Sequence, residues 1–179
     1  REDSRGRVWF VSAQSLIGLR ENQWTEYPFP YGVQTQELLT ESLVPLADGR
    51  LAVKTTTGLL LFDPDAKRFH PASHPEQFDI VLITANPPDG IWAVTRRDTE
   101  TRIETYDGTR FQTILSSSNA GDIDPNLRHL HAGAHKDFWL AGLDGLVRYQ
   151  NGRFHWFSPD EGYTDTAANC ICPIDDHRI

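Results

Sequence analysis

The feature that most limits the fold is a short sequence unit that recurs along the whole chain. Each copy has a polar turn, a short hydrophobic stretch around one anchor position, and a hairpin that ends in an aromatic segment. The anchor positions are separated by 43, 40 and 47 residues and are Trp9, Ala52, Trp92 and Trp139. A period of this length is typical of propeller blades or of helical arrays.

The local pattern within each copy favours strands over helices. Val8–Val11, 51–53 and 146–149 are short, rich in β-branched or aromatic residues, and bounded by Gly and Asp turns. Asp107-Gly108 and Asn151-Gly152 each lie between two apolar runs, which predicts tight hairpins with positive φ. No window carries a sustained helical stripe. The sequence therefore predicts an all-β chain, a β-propeller with four-stranded antiparallel blades.

We divide the chain into about four repeats of one partial propeller that spans residues 1–179. In the fourth copy the strands are predicted from the inner to the outer edge at 127–132, 138–141, 145–149 and 154–157. The third copy departs from the pattern with a longer polar turn at 96–102, and the second has Ala at the anchor. The predicted repeat units are 1–38, 39–77, 78–126 and 127–168, with a further copy beginning in 169–179.

Composition excludes some partners. The formal net charge is −8, and the longest basic run is Arg96-Arg97, so we expect no nucleic-acid partner. No apolar run approaches the roughly 18 residues of a membrane span. The chain begins with Arg and contains no Met, so we interpret it as a piece of a longer protein. Its two cysteines do not assign a redox compartment.

Chemistry-bearing motifs are scarce. The nucleophile elbow, the zinc-protease helix and the phosphate loop are absent, so we predict no catalytic residue and no cofactor. The candidate ligand-binding residues are Tyr31 and Tyr163, which lie in connections between repeats where aromatic rings can stack on sugars. Arg128 and His129 are the further candidates, at the start of an inner strand.

One weaker hypothesis concerns a metal. His129 and His131 alternate on a predicted inner strand, and Cys170 and Cys172 follow about one repeat later. Two His and two Cys form a suitable set for zinc. The alternative, which we favour, is that these four side chains pack along the central channel without a metal, because inner strands of neighbouring blades diverge.

Taken together, the motifs resemble the two-component regulator propeller repeat. The resemblance covers essentially the whole chain and is specific as a set of four copies. The residues that carry it are Asp3, Gly6, Trp9, Gly18, Leu19 and Arg20 in the first copy, and Trp139, Gly145, Leu146, Arg148, Tyr149, Gly152 and Phe154 in the fourth.

The resemblance implies a seven-bladed ring, of which this chain would be a part, although four blades could also close as a small ring. It also implies a non-catalytic periplasmic sensor of a histidine kinase, hybrid kinase or diguanylate cyclase, anchored by a membrane helix elsewhere in the protein. The expected partners are a small extracellular ligand such as an oligosaccharide, and a second copy in a homodimer. The alternatives are a propeller enzyme of lyase or glycosidase type and a protein-interaction scaffold.

Overall fold

The computed structural model describes residues 1–35, 42–86, 90–120, 123, 127–132, 138–165 and 167–172. Within these residues the chain is almost entirely β, with a single helical turn, α1 (Ser117–Ala120), and a short 3₁₀ turn at Pro159–Glu161. No helix in this part of the chain is long and apolar enough to cross a bilayer. The strands are β1 (Val8–Val11), β2 (Ser15–Arg20), β3 (Gln23–Pro28), β4 (Leu43–Pro45), β5 (Leu51–Thr55), β6 (Gly58–Asp63), β7 (Arg68–Ala72), β8 (Asp79–Ala85), β9 (Ile91–Arg97), β10 (Glu100–Tyr106), β11 (Phe111–Ser116), β12 (Leu127–Ala132), β13 (Phe138–Gly142), β14 (Gly145–Gln150) and β15 (Arg153–Trp156).

These strands form separate antiparallel sheets, each in simple up-and-down order. The first sheet is β1-β2-β3, the second β4-β5-β6-β7, the third β8 to β11 and the fourth β12 to β15. The inner strands β4, β8 and β12 contact one another in turn, as blades around an axis do. The prediction of an all-β propeller with four-stranded blades is confirmed. The first sheet has three strands because β1 carries the anchor Trp9 and is equivalent to the second strand of the other sheets.

The two predicted hairpin signals fold differently. Asn151 and Gly152 both take positive φ, 53° and 79°, as a tight two-residue turn between β14 and β15 requires. Asp107 does not take positive φ, because its carboxylate accepts hydrogen bonds from the amides of Thr109 and Arg110, both at 2.9 Å. The side chain thus organises a longer loop, and these bonds, with one from the Thr109 hydroxyl, hold the pKa of Asp107 well below its usual range.

The third sheet also corrects one detail of the sequence interpretation. The segment 96–102 is not a long polar turn. Strands β9 and β10 extend through it, with Arg97 paired to Glu100 in the ladder. Only Asp98 and the residue after it form the turn, and Asp98 takes a positive φ of 54°.

Among the described residues, three hydrophobic clusters are each shared between two neighbouring sheets. On β5, Leu51 and Val53 pack against the first sheet, whereas Ala52 between them packs against the third. The same alternation places Trp92 and Val94 of β9 in the core shared with the fourth sheet. Side chains alternate between the two faces of a strand, so each blade completes the core of both neighbours.

The first two copies fill the anchor position in different ways. Trp9 is 2% exposed and lies over Gly18 on the paired strand, where an added Cβ would come within 2.8 Å of the indole ring. The carboxylate of Asp3 accepts a 2.8 Å hydrogen bond from the Trp9 indole. Although burial opposes it, this bond and those from Arg7 and Arg5 hold the pKa of Asp3 at about 2.

In the second sheet the anchor, the residue opposite it and the partner of the indole all differ from those of the first sheet. Ala52 lies opposite Leu61, and buried Leu46 stands six residues before the anchor, where the first copy has Asp3. A larger residue on the paired strand and an apolar residue in place of the indole's partner compensate for the missing ring. The Ala at this anchor is therefore a packed variant of the repeat.

Replacing Trp9 by Ala is expected to lower the free energy of unfolding by about 3–5 kcal/mol, because it empties a filled core site and leaves the Asp3 carboxylate short of a donor. Trp24→Ala removes the same residue type at a site that is 63% exposed, and should cost less than about 1 kcal/mol. Urea unfolding of both variants measures the difference. Equal losses would contradict the packing described here.

Candidate functional site

A cavity of about 570 Å³ lies between the second and third sheets. It is formed where β5 turns into β6 and where the chain leaves β7 to enter β8, so both neighbouring blades contribute to its wall. We call it the interblade cavity. Its lining residues are Lys54, Thr55, Thr56, Thr57, Gly58, Ala72, Ser73, His74, Gln77, Phe78, Asp79, Ile80 and Val81.

Lys54 is the unusual member of this wall. It follows Ala52 by two residues on β5, so its side chain leaves the same face toward the third sheet, and the residue is only 5% exposed. Burial lowers the pKa of its ammonium group, and no carboxylate in the described part of the chain offsets that effect. Nor does any described residue form a hydrogen bond or ion pair with the Lys54 side chain. The cavity therefore contains a buried lysine side chain without a partner among the residues that the structure describes.

A second buried polar group holds His74, which lines the cavity, in place. Glu104 of β10 is 1% exposed and accepts three hydrogen bonds, from Thr95 at 2.6 Å, Thr113 at 2.7 Å and the Nε2 of His74 at 2.8 Å. His74 Nδ1 accepts the amide of Glu76 at 3.2 Å, which places the ring proton on Nε2. The pair ties the β7–β8 connection to the third sheet, and its bonds leave neither ring nitrogen of His74 for a ligand.

Two arginines close the outer side of the same connection. The guanidinium groups of Arg97 and Arg102 lie 4.6 and 4.0 Å from the centre of the Phe78 ring. Arg102 also pairs with Glu76 at 2.9 Å and Glu100 at 2.8 Å. These contacts hold the segment from Glu76 to Phe78 against the third sheet and make the cavity wall rigid.

The structure places the predicted ligand-binding residues elsewhere. Tyr31 is fully exposed in the connection after the first sheet, and Tyr163 lies beyond the fourth, where burial raises the pKa of its phenol. Arg128 is exposed and donates to the side chain of Asn169. His129 is buried, and its Nδ1 accepts the amide of Ile171 at 2.7 Å. None of the four lines the interblade cavity, and their binding role stays a prediction.

The proposed metal ligands are not assembled. Cys170 and Cys172 are exposed, whereas His129 is 7% exposed and its Nδ1 is occupied by Ile171. Among the residues that the structure describes, which include all four candidates, no three His, Cys, Asp or Glu side chains converge as a metal site.

Sequence reasoning overlooked Lys54, although the repeat contains the signal. The residue two after the anchor is Val11, Val94 or Ala141 in the other copies, and Lys only in the second. Aligning the copies would have found this charge at an apolar core position. The neighbouring blade determines whether the Lys54 side chain faces a cavity or a carboxylate.

Comparison with solved structures supports the fold. The extracellular domain assigned to a hybrid two-component system, BT3049, of B. thetaiotaomicron matches 96% of this chain with a TM-score of 0.67 and 15% identity. The corresponding domain of BT4673 from the same organism matches 87% with a TM-score of 0.62 and 20% identity. The chain spans 23% and 20% of those structures. No family model and no curated protein matches the sequence.

The fold defined by these findings is the one that this chain shares with two extracellular domains of B. thetaiotaomicron. The resemblance of the repeat motif to propeller repeats is thus confirmed at the level of the fold. At these identities the likeness establishes architecture and not function.

Raising the pH from 7 to about 10 should stabilise the protein relative to its Lys54→Met variant. Burial lowers the pKa of Lys54 from 10.5, so the unfolded chain binds more protons in the window below that value, and the stability of the folded state rises with pH there. Urea unfolding of both proteins at the two pH values measures the difference. His74 and Asp79 also line the cavity, and both proteins retain them.

The exposed Lys67 provides the control, because Lys67→Met makes the same change in charge. This variant should keep the pH dependence of the wild type. A Lys54→Met curve parallel to both would show that Lys54 titrates as a solvated amine.

Proposed function

We propose that this chain forms part of the extracytoplasmic sensor propeller of a two-component signalling protein. The observation that carries the proposal is the agreement between the repeat motif and the fold match to two extracellular domains of such systems. In this role the propeller binds a small extracellular ligand and biases the equilibrium of a homodimer that spans the membrane elsewhere in the protein. The histidine kinase or other output domain is part of the proposal and lies outside this chain.

A propeller enzyme of lyase or glycosidase type is less well supported. Such an enzyme needs acid and base groups that a substrate can reach. The buried histidine–carboxylate pair of His74 and Glu104 has side chains that are each 2% exposed, and its hydrogen bonds serve to join two elements of the fold. The exposed pair of His155 and Glu161, at 2.8 Å, caps a short turn through Ser158.

We also propose that further blades pack against the first sheet. Phe10 occupies the position of Val53, Ala93 and Leu140, which are each at most 2% exposed because a preceding blade covers them, whereas Phe10 is 44% exposed. Its ring contacts the exposed Trp24 at 5.5 Å, so this face presents an aromatic patch. A ring larger than the sheets described here, such as the seven blades that the repeat resemblance implies, would bury it.

Extracytoplasmic location can be tested with a cysteine reporter. In the full-length protein with Cys170 and Cys172 replaced by Ser, Tyr31→Cys should react with a membrane-impermeant maleimide in cells whose outer membrane alone is permeabilised. Tyr31 is a suitable site because its side chain is fully exposed. Phe138→Cys, at a fully buried position, is the matched unreactive control. Labelling of Tyr31→Cys only after the inner membrane is lysed would overturn the proposal.

If further blades complete the ring, the stability lost in Phe10→Ser should depend on whether those blades are present. Phe10→Ser should cost about 1 kcal/mol of local stability in the 179-residue chain, but about 3 kcal/mol in the full-length protein, where a further blade covers the ring. Hydrogen exchange of the β1 and β2 amides measures both values. Leu143→Ser, in the exposed β13–β14 turn, should cost the same in both contexts. Equal effects of Phe10→Ser would argue against a blade on this face.

A further inference from the structure

The interblade cavity contains a charged side chain at a position where the other copies of the repeat have an apolar one. In the other three copies the equivalent side chain is Val11, Val94 or Ala141, and the last two are completely buried. Lys54 occupies an apolar core position with a cationic side chain. Burying an ammonium ion without a counterion costs several kcal/mol, which makes the unpaired state of this site unfavourable.

Apart from its apolar members, the rest of the lining consists of polar residues that are neutral or acidic. The Thr55 hydroxyl is engaged by the Gly58 carbonyl at 2.9 Å, but Thr56, Ser73 and Gln77 bring further side-chain hydrogen-bonding groups to the same wall. Asp79 adds one exposed carboxylate at the start of β8. Such a set can donate to and accept from several hydroxyl groups of one ligand.

We propose that the interblade cavity binds a small hydroxylated carboxylate, with its carboxylate paired to the ammonium group of Lys54. One cation favours a single negative charge, and a dianion such as phosphate would be left with an excess charge near Asp79. The threonine turn and the β7–β8 connection then hold the ligand's hydroxyl groups. Only the role of this ligand as the signal rests on the proposed sensor function.

The cavity volume fits this class. About 570 Å³ accommodates a monosaccharide-sized acid with its bound water, and lies within the range of small-molecule sites. The ligand would contact Lys54 on the second sheet and Asp79 to Val81 on the third. A bound ligand would therefore link two blades, so that binding could change the stability of the boundary between them.

Isothermal titration calorimetry of the purified chain tests the proposal with D-glucuronate and its neutral counterpart D-glucose. The wild type should bind glucuronate in a saturable manner and glucose at least about tenfold more weakly, because only the acid pairs with Lys54. Lys54→Met should lose at least about tenfold in glucuronate affinity, and Lys54→Arg should retain part of it. Lys67→Met changes the net charge equally and should bind like the wild type.

Three results would overturn the proposal. They are the absence of saturable glucuronate binding below about 10 mM, equal binding of glucose, or unchanged affinity in Lys54→Met. The Met variant is expected to fold, since apolar residues occupy this position in the other copies, and far-ultraviolet circular dichroism checks it. Failure here together with extracytoplasmic labelling at Tyr31→Cys would reject the site and leave the sensor proposal intact.

Discussion

The structure depends on the packing of each sheet's face against the face of the next. A sheet of three or four short strands cannot bury both of its apolar faces by itself. The aromatic contacts across the first boundary show how the neighbours solve this, since Phe62 of the second sheet lies 5.7 Å from the Trp9 ring and 4.7 Å from the Tyr27 ring of the first. Trp92 and Phe138 make the same kind of contact between the third and fourth sheets, at 5.7 Å. Radial order follows from this sharing, because every blade needs a neighbour on each side.

Shared cores also explain how the copies can differ without losing the fold. What a boundary requires is a filled volume with satisfied polar groups, and more than one set of residues provides it. Trp9 with Gly18 opposite and an Asp3 acceptor is one solution, and Ala52 with Leu61 opposite is another. The sequence motif weakens in the second copy because three linked positions change together, while the strand pairing stays the same.

The order of strands, their lengths and the anchor positions could be predicted because they depend on local pattern and period. In the fourth copy the predicted strands match β12 to β15 to within one residue at every boundary. The turn at Asp107 was harder, since its side chain competes with the backbone for the amides of Thr109 and Arg110. The cavity could not be predicted from the sequence, because its wall combines the β5–β6 turn with the connection from β7 to β8 of the next blade. Tyr31 and Tyr163 were selected by residue type, and the structure places them in connections that do not border this wall.

The two buried charges at the boundary of the second and third sheets have different physical roles. Glu104 receives three hydrogen bonds, so the protein itself provides the partners that a buried carboxylate requires, and the group serves to join β10 to the β7–β8 connection. Lys54 receives no such partner from the described residues, and its lowered pKa reflects burial alone. In a fold whose net stability is small, an uncompensated ammonium ion at an apolar position is a substantial cost. An anion that enters from solvent removes the cost, and so the same side chain that weakens the empty boundary would strengthen the occupied one.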